Sequence, residues 1–492
     1  MSDSEIVVGI DVGTSAVKAL AINRSGKEVF SSSKEIYTDS VRSGWNEQEP
    51  LHWWNASCQV LQEITSYLDA RNIKALGLSG QMHSPAFLDK NDNIIRPSML
   101  WSDGRTSSQC ADIYESLGGD RVKNIIGNPI LEGFTAPKLL WLKQHEGSNF
   151  KKLDSFLIAK DYIGFLLTGE KVTEPSDASG TVLMDLYSCD WSKEVLTFLD
   201  LQNVELPEIR RSTDVVGGVT RHASKATGLL EGTPVVAGGA DNAAAAISTN
   251  SMREDVCQIS LGTSGTVLQT TMRPVVDDGL RLHSFSHCLP NSWYSMGVTL
   301  NAGSSFAWFA NNVIDMPNRY GILDDEASIV DPGCDGLVFL PYLNGERTPH
   351  NDPNIRGAFL RLDASHSRGH MIRSIMEGVA FSIKEVYELM GSLINPADTV
   401  VVTGGGANSK VWSQILADVL GKNLSKVVTQ SGPSHGAALL SAVGIGWFNS
   451  IHAAVERWVL LSDHISFNRD HMESYQESYF YYQRAYPKVK SI

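Results

Sequence analysis

A short Gly-Thr-Ser loop occurs twice in this chain of 492 residues, at positions 13–15 and 262–264. Each copy lies between two apolar runs, which is typical of a β-hairpin with a tight turn. The backbone N–H groups and hydroxyls of such a turn can converge on an anion. The copies lie about 250 positions apart, roughly half the chain length, which favours an internal duplication. The spacing predicts two similar halves that hold one polyphosphate, with two ordinary hairpins as the alternative.

The composition restricts the partners of the chain. Apolar residues make up 42% and charged residues 20%, as in soluble globular proteins, and the length allows two or three domains. The 41 Lys and Arg are outnumbered by 55 Asp and Glu, so the net charge is −14. This acidity disfavours nucleic acid and anionic membranes as partners. It leaves phosphate binding open, since that depends on local donors.

The cysteines and the N-terminus predict a cellular location. The six cysteines are scattered, and no pair has the Cys-x-x-Cys spacing of a zinc or redox motif. Residues 1–5 are acidic and lack the basic region of a secretory signal. Apolar runs of eighteen residues, as needed to span a membrane, are absent. We therefore expect a cytoplasmic protein without a membrane partner.

The first 80 residues predict the element order β-β-β-α-β. Residues 6–10, 17–22 and 29–33 predict three strands. Pro50 begins a predicted helix, and residues 75–78 predict a fourth strand. This order mixes antiparallel and parallel pairing, unlike the strict alternation of a Rossmann fold.

Two aspartates are candidates for chemistry. Asp241 follows a predicted strand and begins an alanine-rich predicted helix, whose N–H groups favour an ionised carboxylate. Such a carboxylate can accept a proton from a substrate hydroxyl, although an Asp at this position can also simply cap the helix. Asp11 lies on the first hairpin, where it would repel phosphate unless a cation intervened. It therefore either orients Mg²⁺ through water or stabilises the turn.

Two loops are candidates for ligand binding. Residues 404–406 are three glycines before a predicted helix, so a nucleotide could approach the backbone closely, or the loop could serve packing. The loop lacks the endings of both the P-loop and the Rossmann fingerprint. Gln81, Met82 and His83 follow a strand end and suit a sugar, because polar groups bind hydroxyls while Met covers carbon atoms. Asp103 is a similar polar group, and His83 could instead be an ordinary loop histidine.

Together these motifs resemble the FGGY carbohydrate kinases, most closely the xylulokinases of that family. The resemblance extends over nearly the whole chain. The segments that carry it are residues 11–15, 44–50, 77–83, 133–145, 176–181, 239–244, 340–353 and 404–406.

The resemblance implies an α/β protein with an actin-like ATPase (ribonuclease H-like) fold, two duplicated domains around a central cleft. Residues 1–246 would form the sugar-binding domain with the catalytic base, and residues 247–492 the nucleotide-binding domain. The implied activity is ATP-dependent phosphorylation of the terminal hydroxyl of a ketopentose, with D-xylulose as the best candidate. Another ketose, a polyol or a sugar acid stays open, as do a sugar-independent ATPase and an inactive sugar sensor.

The same resemblance implies roles for individual residues. Asp241 would be the general base, and Asp11 would place Mg²⁺. The implied sugar contacts are Gln81, Met82, His83, Asp103 and Asn242. The implied ATP contacts are Thr14, Ser15, Gly262, Thr263 and Gly303 for the phosphates, and Gly405, Gly406 and Asn408 for the adenosine. Residues 472–486 are rich in aromatics and would either pack a C-terminal helix on the body or form the face of a homodimer.

Three residues depart from the family pattern. Ser84 stands where glycine is usual beside the sugar loop, and Ser102 where asparagine is usual. These two bear on the identity of the sugar. Arg361 replaces a glycine of the second family signature, and we expect it to alter a turn.

Overall fold

The computed structural model describes residues 4–429, 432–462 and 464–491. Residues 1–3, which contributed to the argument against a secretory signal, lie outside this part. The strands are β1 (Ile6–Val12), β2 (Ala16–Asn23), β3 (Glu28–Glu35), β4 (Asp39–Arg42), β5 (Trp45–Gln48), β6 (Ile73–Gly80), β7 (Pro85–Leu88), β8 (Ser98–Met99), β9 (Ser155–Ile158), β10 (Val172–Thr173), β11 (Met184–Asp185), β12 (Asp190–Trp191), β13 (Glu208–Ile209), β14 (Val215–Gly218), β15 (Pro234–Ala240), β16 (Val256–Leu261), β17 (Gly265–Thr271), β18 (His283–Ser286), β19 (Trp293–Thr299), β20 (Val338–Leu340), β21 (Ala358–Leu360), β22 (Thr399–Thr403) and β23 (Leu424–Lys426).

Helices cover the sheets and connect their strands. They are α1 (Pro50–Tyr67), α2 (Ser107–Leu117), α3 (Gly119–Arg121), α4 (Thr135–His145), α5 (Gly147–Phe150), α6 (Ala159–Thr168), α7 (Pro175–Gly180), α8 (Lys193–Phe198), α9 (Arg221–Thr227), α10 (Asp241–Ser248), α11 (Gly303–Trp308), α12 (Tyr320–Ser328), α13 (Arg368–Gly391), α14 (Lys410–Leu420), α15 (Pro433–Gly444), α16 (Ile451–Trp458) and α17 (Arg469–Val489).

Two six-stranded sheets share the topology of five of their strands. The first has the order β14-β15-β6-β1-β2-β3, and the second has the order β18-β19-β17-β16-β22-β23. β1 and β16 correspond: each pairs antiparallel with the next strand, β2 or β17, and parallel with β6 or β22, and β15 or β23 lies beside the latter. The sixth strands differ in place, because β14 lies beside β15 whereas β18 lies beside β19, the counterpart of β3. The shared order confirms the duplication predicted from the Gly-Thr-Ser loops.

The opening of the chain confirms the predicted order β-β-β-α-β, with one addition. All residues of strand β1 are buried, and all are apolar except Asp11, which is 8% exposed. Helix α1 has Pro50 in its first turn and buries Trp53, Val60 and Leu61 against the sheet. Between β3 and α1 lie β4 and β5, which form a small separate sheet with β8. The four residues of β4 are all exposed, so no apolar pattern marked this strand in the sequence.

One helix from the second half of the chain packs on the first sheet. Helix α15 lies against β1 and β6, and glycines make this close approach possible. A Cβ atom on Gly9 would lie 1.8 Å from the carbonyl oxygen of Ser434, and one on Gly77 would lie 1.9 Å from that of Ala437. The predicted boundary between 246 and 247 stays a prediction, and α15 contributes to the first core from beyond it.

The aromatic C-terminal segment packs on the body of the protein. Helix α17 buries Tyr475, Tyr479 and Tyr482 in the second apolar core, while Phe480 and Tyr481 stay partly exposed. A homodimer stays a prediction. In the described residues no helix has the length and apolar character needed to cross a membrane. The cytoplasmic location likewise stays a prediction.

Candidate active site

Three loops of the first half meet at one edge of the first sheet. Strands β1, β6 and β15 run parallel, and their last residues Val12, Gly80 and Ala240 are neighbours in register. Each strand leads directly into a predicted functional segment: the first hairpin, the loop 81–83, and Asp241. The backbone N–H of Gln81 also donates to the carbonyl oxygen of Val12 at 2.9 Å. The topology therefore brings together residues that are up to 230 positions apart.

Asp241 is the first residue of α10, and its carboxylate faces the cleft half-buried. The residue at the N-cap position is Ala240, so Asp241 does not have the capping role considered from the sequence. Its Oδ1 accepts hydrogen bonds from the backbone N–H and the side-chain amide of Asn242, at 2.6 and 2.8 Å. Burial raises the pKa of Asp241 to about 6 although both hydrogen bonds favour the charged form. At neutral pH most of this carboxyl group is therefore ionised.

Asp11 lies near Asp241 with a buried oxygen that has no partner. Its Oδ1 makes no hydrogen bond among the described residues. Burial, and next the charge of Asp241, raise the pKa of Asp11 to about 7, which Lys18 partly opposes. Two neighbouring carboxylates with an unpaired oxygen suit Mg²⁺, which binds one or two carboxylates and fills its other positions with water and phosphate. Clusters of three or more potential metal ligands are absent from the described residues. A Mg²⁺ ion that takes most of its ligands from water and phosphate does not need such a cluster.

A cavity of about 230 Å³ opens beside Asp241. It lies below the range of roughly 300–1,000 Å³ that is usual for drug-sized ligands, which indicates a small substrate. Both halves line it: Met82, His83, Trp101, Leu131, Gly133, Phe134, Asp241 and Asn242 from the first, and Ser264, Thr266, His283, Phe285, Met296, Val298 and Arg347 from the second. A larger cavity, of about 390 Å³, lies between the end of β17 and the loop after α13, and none of the predicted site residues lines it.

His83 presents a hydrogen-bond acceptor to this cavity. Its Nδ1 lies 2.5 Å from the carbonyl oxygen of Gly180, and because a carbonyl only accepts, Nδ1 must hold the proton. Burial, followed by the charge of Lys138, keeps the pKa of His83 well below its usual value, so the ring is neutral. The other nitrogen, Nε2, can then accept from a hydroxyl. Phe134 meets the ring edge to face at 4.6 Å and fixes its plane.

Met82 and Asn242 lie side by side on the same wall. The Asn242 amide is 3.7 Å from the Met82 sulfur, and Met82 is almost completely buried. Together with His83 and Asp241 they form the part of the predicted site that the structure brings together.

Gln81 and Asp103 lie behind the cavity wall. Gln81 is buried, its amide nitrogen donates to Gln48 at 3.1 Å, and its amide oxygen accepts from Ser84 at 3.1 Å. Asp103 is buried in an ion pair of 2.6 Å with Arg105. Direct contacts of Gln81 and Asp103 with a sugar stay predictions, and the structure shows them supporting the loops.

The three residues that depart from the family pattern lie outside the cavity lining, and the bearing of Ser84 and Ser102 on the identity of the sugar stays a prediction. Ser84 is buried behind the loop, where its hydroxyl accepts from the backbone N–H of Trp101 at 3.2 Å. Ser102 is exposed outside the cavity. Arg361 adopts a left-handed backbone with φ of 63°, which explains why glycine suits this turn. Its guanidinium lies 4.1 Å from the ring centre of Tyr481, which offsets part of the strain.

The first hairpin contacts the sugar side of the cleft. The Thr14 hydroxyl accepts from the indole nitrogen of Trp101 at 2.8 Å and donates to Gln81 at 3.4 Å. Ser15 is exposed at the tip of the turn. Phosphate contacts of Thr14 and Ser15 stay predictions.

The second hairpin is joined to the start of α11. The backbone N–H of Gly303 donates to Gly262 at 2.8 Å, and that of Ser304 donates to Thr263 at 3.1 Å. A Cβ atom on Gly303 would lie 2.6 Å from the carbonyl oxygen of Gly262, so only glycine allows this approach. Gly262, Thr263 and Gly303 therefore form one compact group, and their binding of phosphate stays a prediction.

The glycine loop ends the neighbouring strand β22, next to this group. Gly404 has a φ of 87° and packs on the backbone of Leu261, so packing explains this glycine. Gly405 and Asn408 are exposed, and a Cβ on Gly405 would meet open space. Gly406 packs against the side chain of Leu261. The open side of the loop leaves room for a nucleotide, and the adenosine contacts of Gly405, Gly406 and Asn408 stay predictions.

Apart from Ser264 of the second hairpin, the cavity residues of the second half were not predicted from the sequence. His283 and Phe285 lie on β18, a buried strand of sequence His-Ser-Phe-Ser that belongs to none of the recognised motifs. Arg347 lies within the matched segment 340–353, which could have pointed to it. Its guanidinium forms no ion pair with any carboxylate in the described part of the chain.

Comparisons with known proteins identify the family of the chain. The model of the FGGY family of carbohydrate kinases, N-terminal domain, matches residues 6–248, and the C-terminal domain model matches residues 257–445. Xylulose kinase of Bacillus subtilis is 38% identical over 99% of this chain and 97% of that protein.

Two solved structures from Lactobacillus acidophilus share the fold. Ligand-bound xylulose kinase has a TM-score of 0.94 at 26% identity, covering 99% of this chain and 98% of the other. Gluconate kinase has a TM-score of 0.93, also at 26% identity and with the same coverage. With its duplicated sheets and this cleft, the chain is a member of the FGGY carbohydrate kinases and has their actin-like ATPase fold.

Proposed function

We propose that this kinase transfers the γ-phosphoryl group of ATP to the terminal hydroxyl of D-xylulose. One observation supports it most: the Asp241 carboxylate, with a pKa of about 6, lines a cavity of sugar size to which both halves of the chain contribute. The names of relatives such as the Bacillus subtilis enzyme support a ketopentose over other sugars.

Different residues of the chain act on the reacting hydroxyl and on the rest of the sugar. Asp241 accepts the proton of the terminal hydroxyl as that oxygen attacks the γ-phosphorus in line. His83 Nε2 accepts from a second hydroxyl, while Met82 and Phe285 cover the carbon atoms of the sugar. These contacts hold the attacking oxygen in place and exclude water.

The two hairpins bind the phosphate chain. Their backbone N–H groups and hydroxyls, at residues 13–15 and 262–264, stabilise the charge that spreads over the transferred group. Asp11 is the residue that would hold Mg²⁺, since its unpaired Oδ1 needs a cation or a donor. When bound, Mg²⁺ neutralises charge on the phosphate oxygens.

A sugar acid is the second candidate substrate. Arg347 brings an unpaired guanidinium to the cavity wall, and a guanidinium binds carboxylates well. Gluconate kinase from Lactobacillus acidophilus has the same fold. The curated relative in Bacillus subtilis favours the ketose, so D-xylulose is the first choice.

The test is ADP release from Mg·ATP with D-xylulose, L-xylulose, D-ribulose, L-ribulose, glycerol, gluconate and no addition. The proposal predicts strong stimulation by D-xylulose. A preference for gluconate would replace it with the second candidate. ADP release that is equal with and without every sugar would contradict both and favour a sugar-independent ATPase.

A further inference from the structure

Helix α7 contacts both the residue before the base and the sugar loop, although its residues have no role in the chemistry above. It is only six residues long, and all of them except Pro175 are buried. It lies in the matched segment 176–181, which the proposed function does not use. Its two ends contact different parts of the site.

The N-terminal end of α7 holds the strand end that leads to Asp241. The Ser176 hydroxyl accepts from the backbone N–H of Ala240 at 2.9 Å, one residue before the base. It donates in turn to Glu174 at 2.6 Å, so both of its hydrogen-bonding directions are used. Since Asp241 follows immediately, the position of its backbone depends on this hydroxyl.

The strand needs this support because its pairing with β6 is irregular. The register of β15 shifts between Val236 and Gly239, and Gly238 has a φ of 81°. Ser212 holds the shifted segment: its carbonyl oxygen accepts from the N–H of Gly238 at 2.9 Å, and its hydroxyl donates to Glu174 at 2.8 Å. Irregularities of this kind often redirect a side chain beside an active site.

Glu174 itself is fixed by buried charges. It accepts from the backbone N–H groups of Ser176 and Asp177, at 3.0 and 2.9 Å. The ammonium group of Lys160 lies 3.6 Å from Glu174, 3.2 Å from Asp177 and 2.5 Å from Asp161, and all four side chains are buried. A buried ion cluster tolerates little displacement, because a charge that loses its partner there is costly.

The C-terminal end of α7 fixes the sugar loop. The carbonyl oxygen of Gly180 accepts from His83 Nδ1 at 2.5 Å. A Cβ atom on Gly180 would lie 2.7 Å from the terminal carbon of Met82 and 3.0 Å from the His83 ring. Ser179 accepts from the backbone N–H of Ser286 at 3.2 Å, which ties α7 to the second half beside Phe285.

We propose that α7 is a positioning element that sets the place of the general base relative to the bound sugar. Ser176 and Glu174 are positioning residues that act through the backbone of Ala240, and neither touches the reacting atoms. The inference rests on the proposed function insofar as Asp241 is the base.

The test compares Ser176→Ala with Thr181→Ala. Ser176→Ala leaves the N–H of Ala240 without its acceptor, and we expect kcat to fall about 10- to 100-fold, as small misplacements of reacting groups do. KM for both substrates should stay within about twofold, since the cavity wall and the phosphate hairpins are untouched. Thr181→Ala removes another buried hydroxyl of this segment, which bonds only to Ala178 and Leu183, and should leave kcat unchanged.

Thermal unfolding of both variants separates positioning from stability. An equal fall in kcat for both variants, or a change in KM rather than kcat for Ser176→Ala, would overturn the inference. If Ser176→Ala does not fold, Ser212→Ala replaces it, because that change removes one donor to Glu174 while the backbone acceptor for Gly238 remains. A wild-type enzyme that phosphorylates none of the sugars would overturn the proposed function and this inference together. A normal kcat for Ser176→Ala in an active enzyme would overturn the inference alone.

Discussion

Asp11 and Asp241 illustrate how residues acquire properties that their sequence neighbours do not give them. Each follows or lies in a strand whose apolar residues bury the carboxylate, and burial is the largest cause of both raised pKa values. The charge of Asp241 adds to the effect on Asp11. The pair can therefore bind a cation and accept a proton near neutral pH. A kinase needs both of these functions in one site.

The raised pKa of Asp241 predicts an acid limb in the activity. Since both carboxylates must be ionised, kcat/KM should fall about tenfold per pH unit between about 7 and 6, where Asp11 is protonated, and about a hundredfold per unit below about 6, where Asp241 is protonated as well. Added Mg²⁺ should move the decline to lower pH, because a nearby cation favours ionised carboxylates. The measurement is kcat/KM for the sugar against pH at fixed ionic strength.

Asp11→Asn serves as the comparison for this profile. The variant lacks the titration of Asp11, and it should keep the fall in kcat/KM that protonation of Asp241 causes. A profile of the wild type that is flat down to about pH 5 would contradict the assignment of Asp241 as the base.

The residues that could be predicted are those whose surroundings are formed by nearby parts of the sequence. Asp241 and His83 were found because each directly follows a recognisable strand. His283 and Arg347 were missed because they reach the cavity only through the packing of one half on the other. Asp103 stays a predicted sugar contact, and the structure shows that Arg105, two residues on, donates to both of its carboxylate oxygens.

At the scale of elements, the second hairpin and α11 depend on glycine for their contact. Gly303→Ala would place a Cβ 2.6 Å from the carbonyl oxygen of Gly262 and push the helix from the hairpin. We expect KM for ATP to rise several-fold while KM for the sugar changes little, because the sugar cavity does not include this contact. Steady-state kinetics with each substrate varied in turn measures the effect.

Gly321→Ala is the matched control for this variant. Gly321 lies in α12 of the same half, and a Cβ there would meet open space. This change should leave both KM values unaltered and favour the helix slightly. A larger effect of Gly303→Ala on the sugar than on ATP would show that the hairpin serves another ligand.

Elements with an apolar pattern were predictable, and polar ones were not. The two hairpins, α1 and β6 follow from runs of buried residues. Strand β4 is exposed throughout and β5 only half buried, so their pairing with β8 left no pattern to read. Helix α7 was noted only as part of a motif, because its contacts at both ends are made by backbone groups and small side chains.

At the scale of the whole molecule, α15 joins the two halves by packing on β1 and β6. Gly77→Ala would place a Cβ 1.9 Å from the carbonyl oxygen of Ala437, which neither backbone can avoid without moving. We expect a loss of about 1–3 kcal/mol in unfolding free energy, the usual cost of overpacking a core. Thermal unfolding measures it, with Gly321→Ala as the control, and equal melting temperatures would contradict the close packing described here.

The duplication was predictable from the sequence, whereas the packing of α15 from the second half on the first sheet was not. The spacing of the two Gly-Thr-Ser loops indicated two similar halves, and each half contains one of the two six-stranded sheets. The packing of α15 depends on Gly9 and Gly77, two glycines inside strands whose meaning appears only when the helix lies against them.

The most direct test of the account compares the wild type with Asp241→Asn, using D-xylulose and Mg·ATP. The variant should lose about 10²- to 10⁴-fold in kcat, the usual value of general-base catalysis, while calorimetry shows that both ligands still bind. In the wild type, the phosphate should be found on the terminal oxygen of the sugar. Turnover by Asp241→Asn within a few-fold of the wild type would contradict the central claim that this carboxylate takes the proton from the sugar.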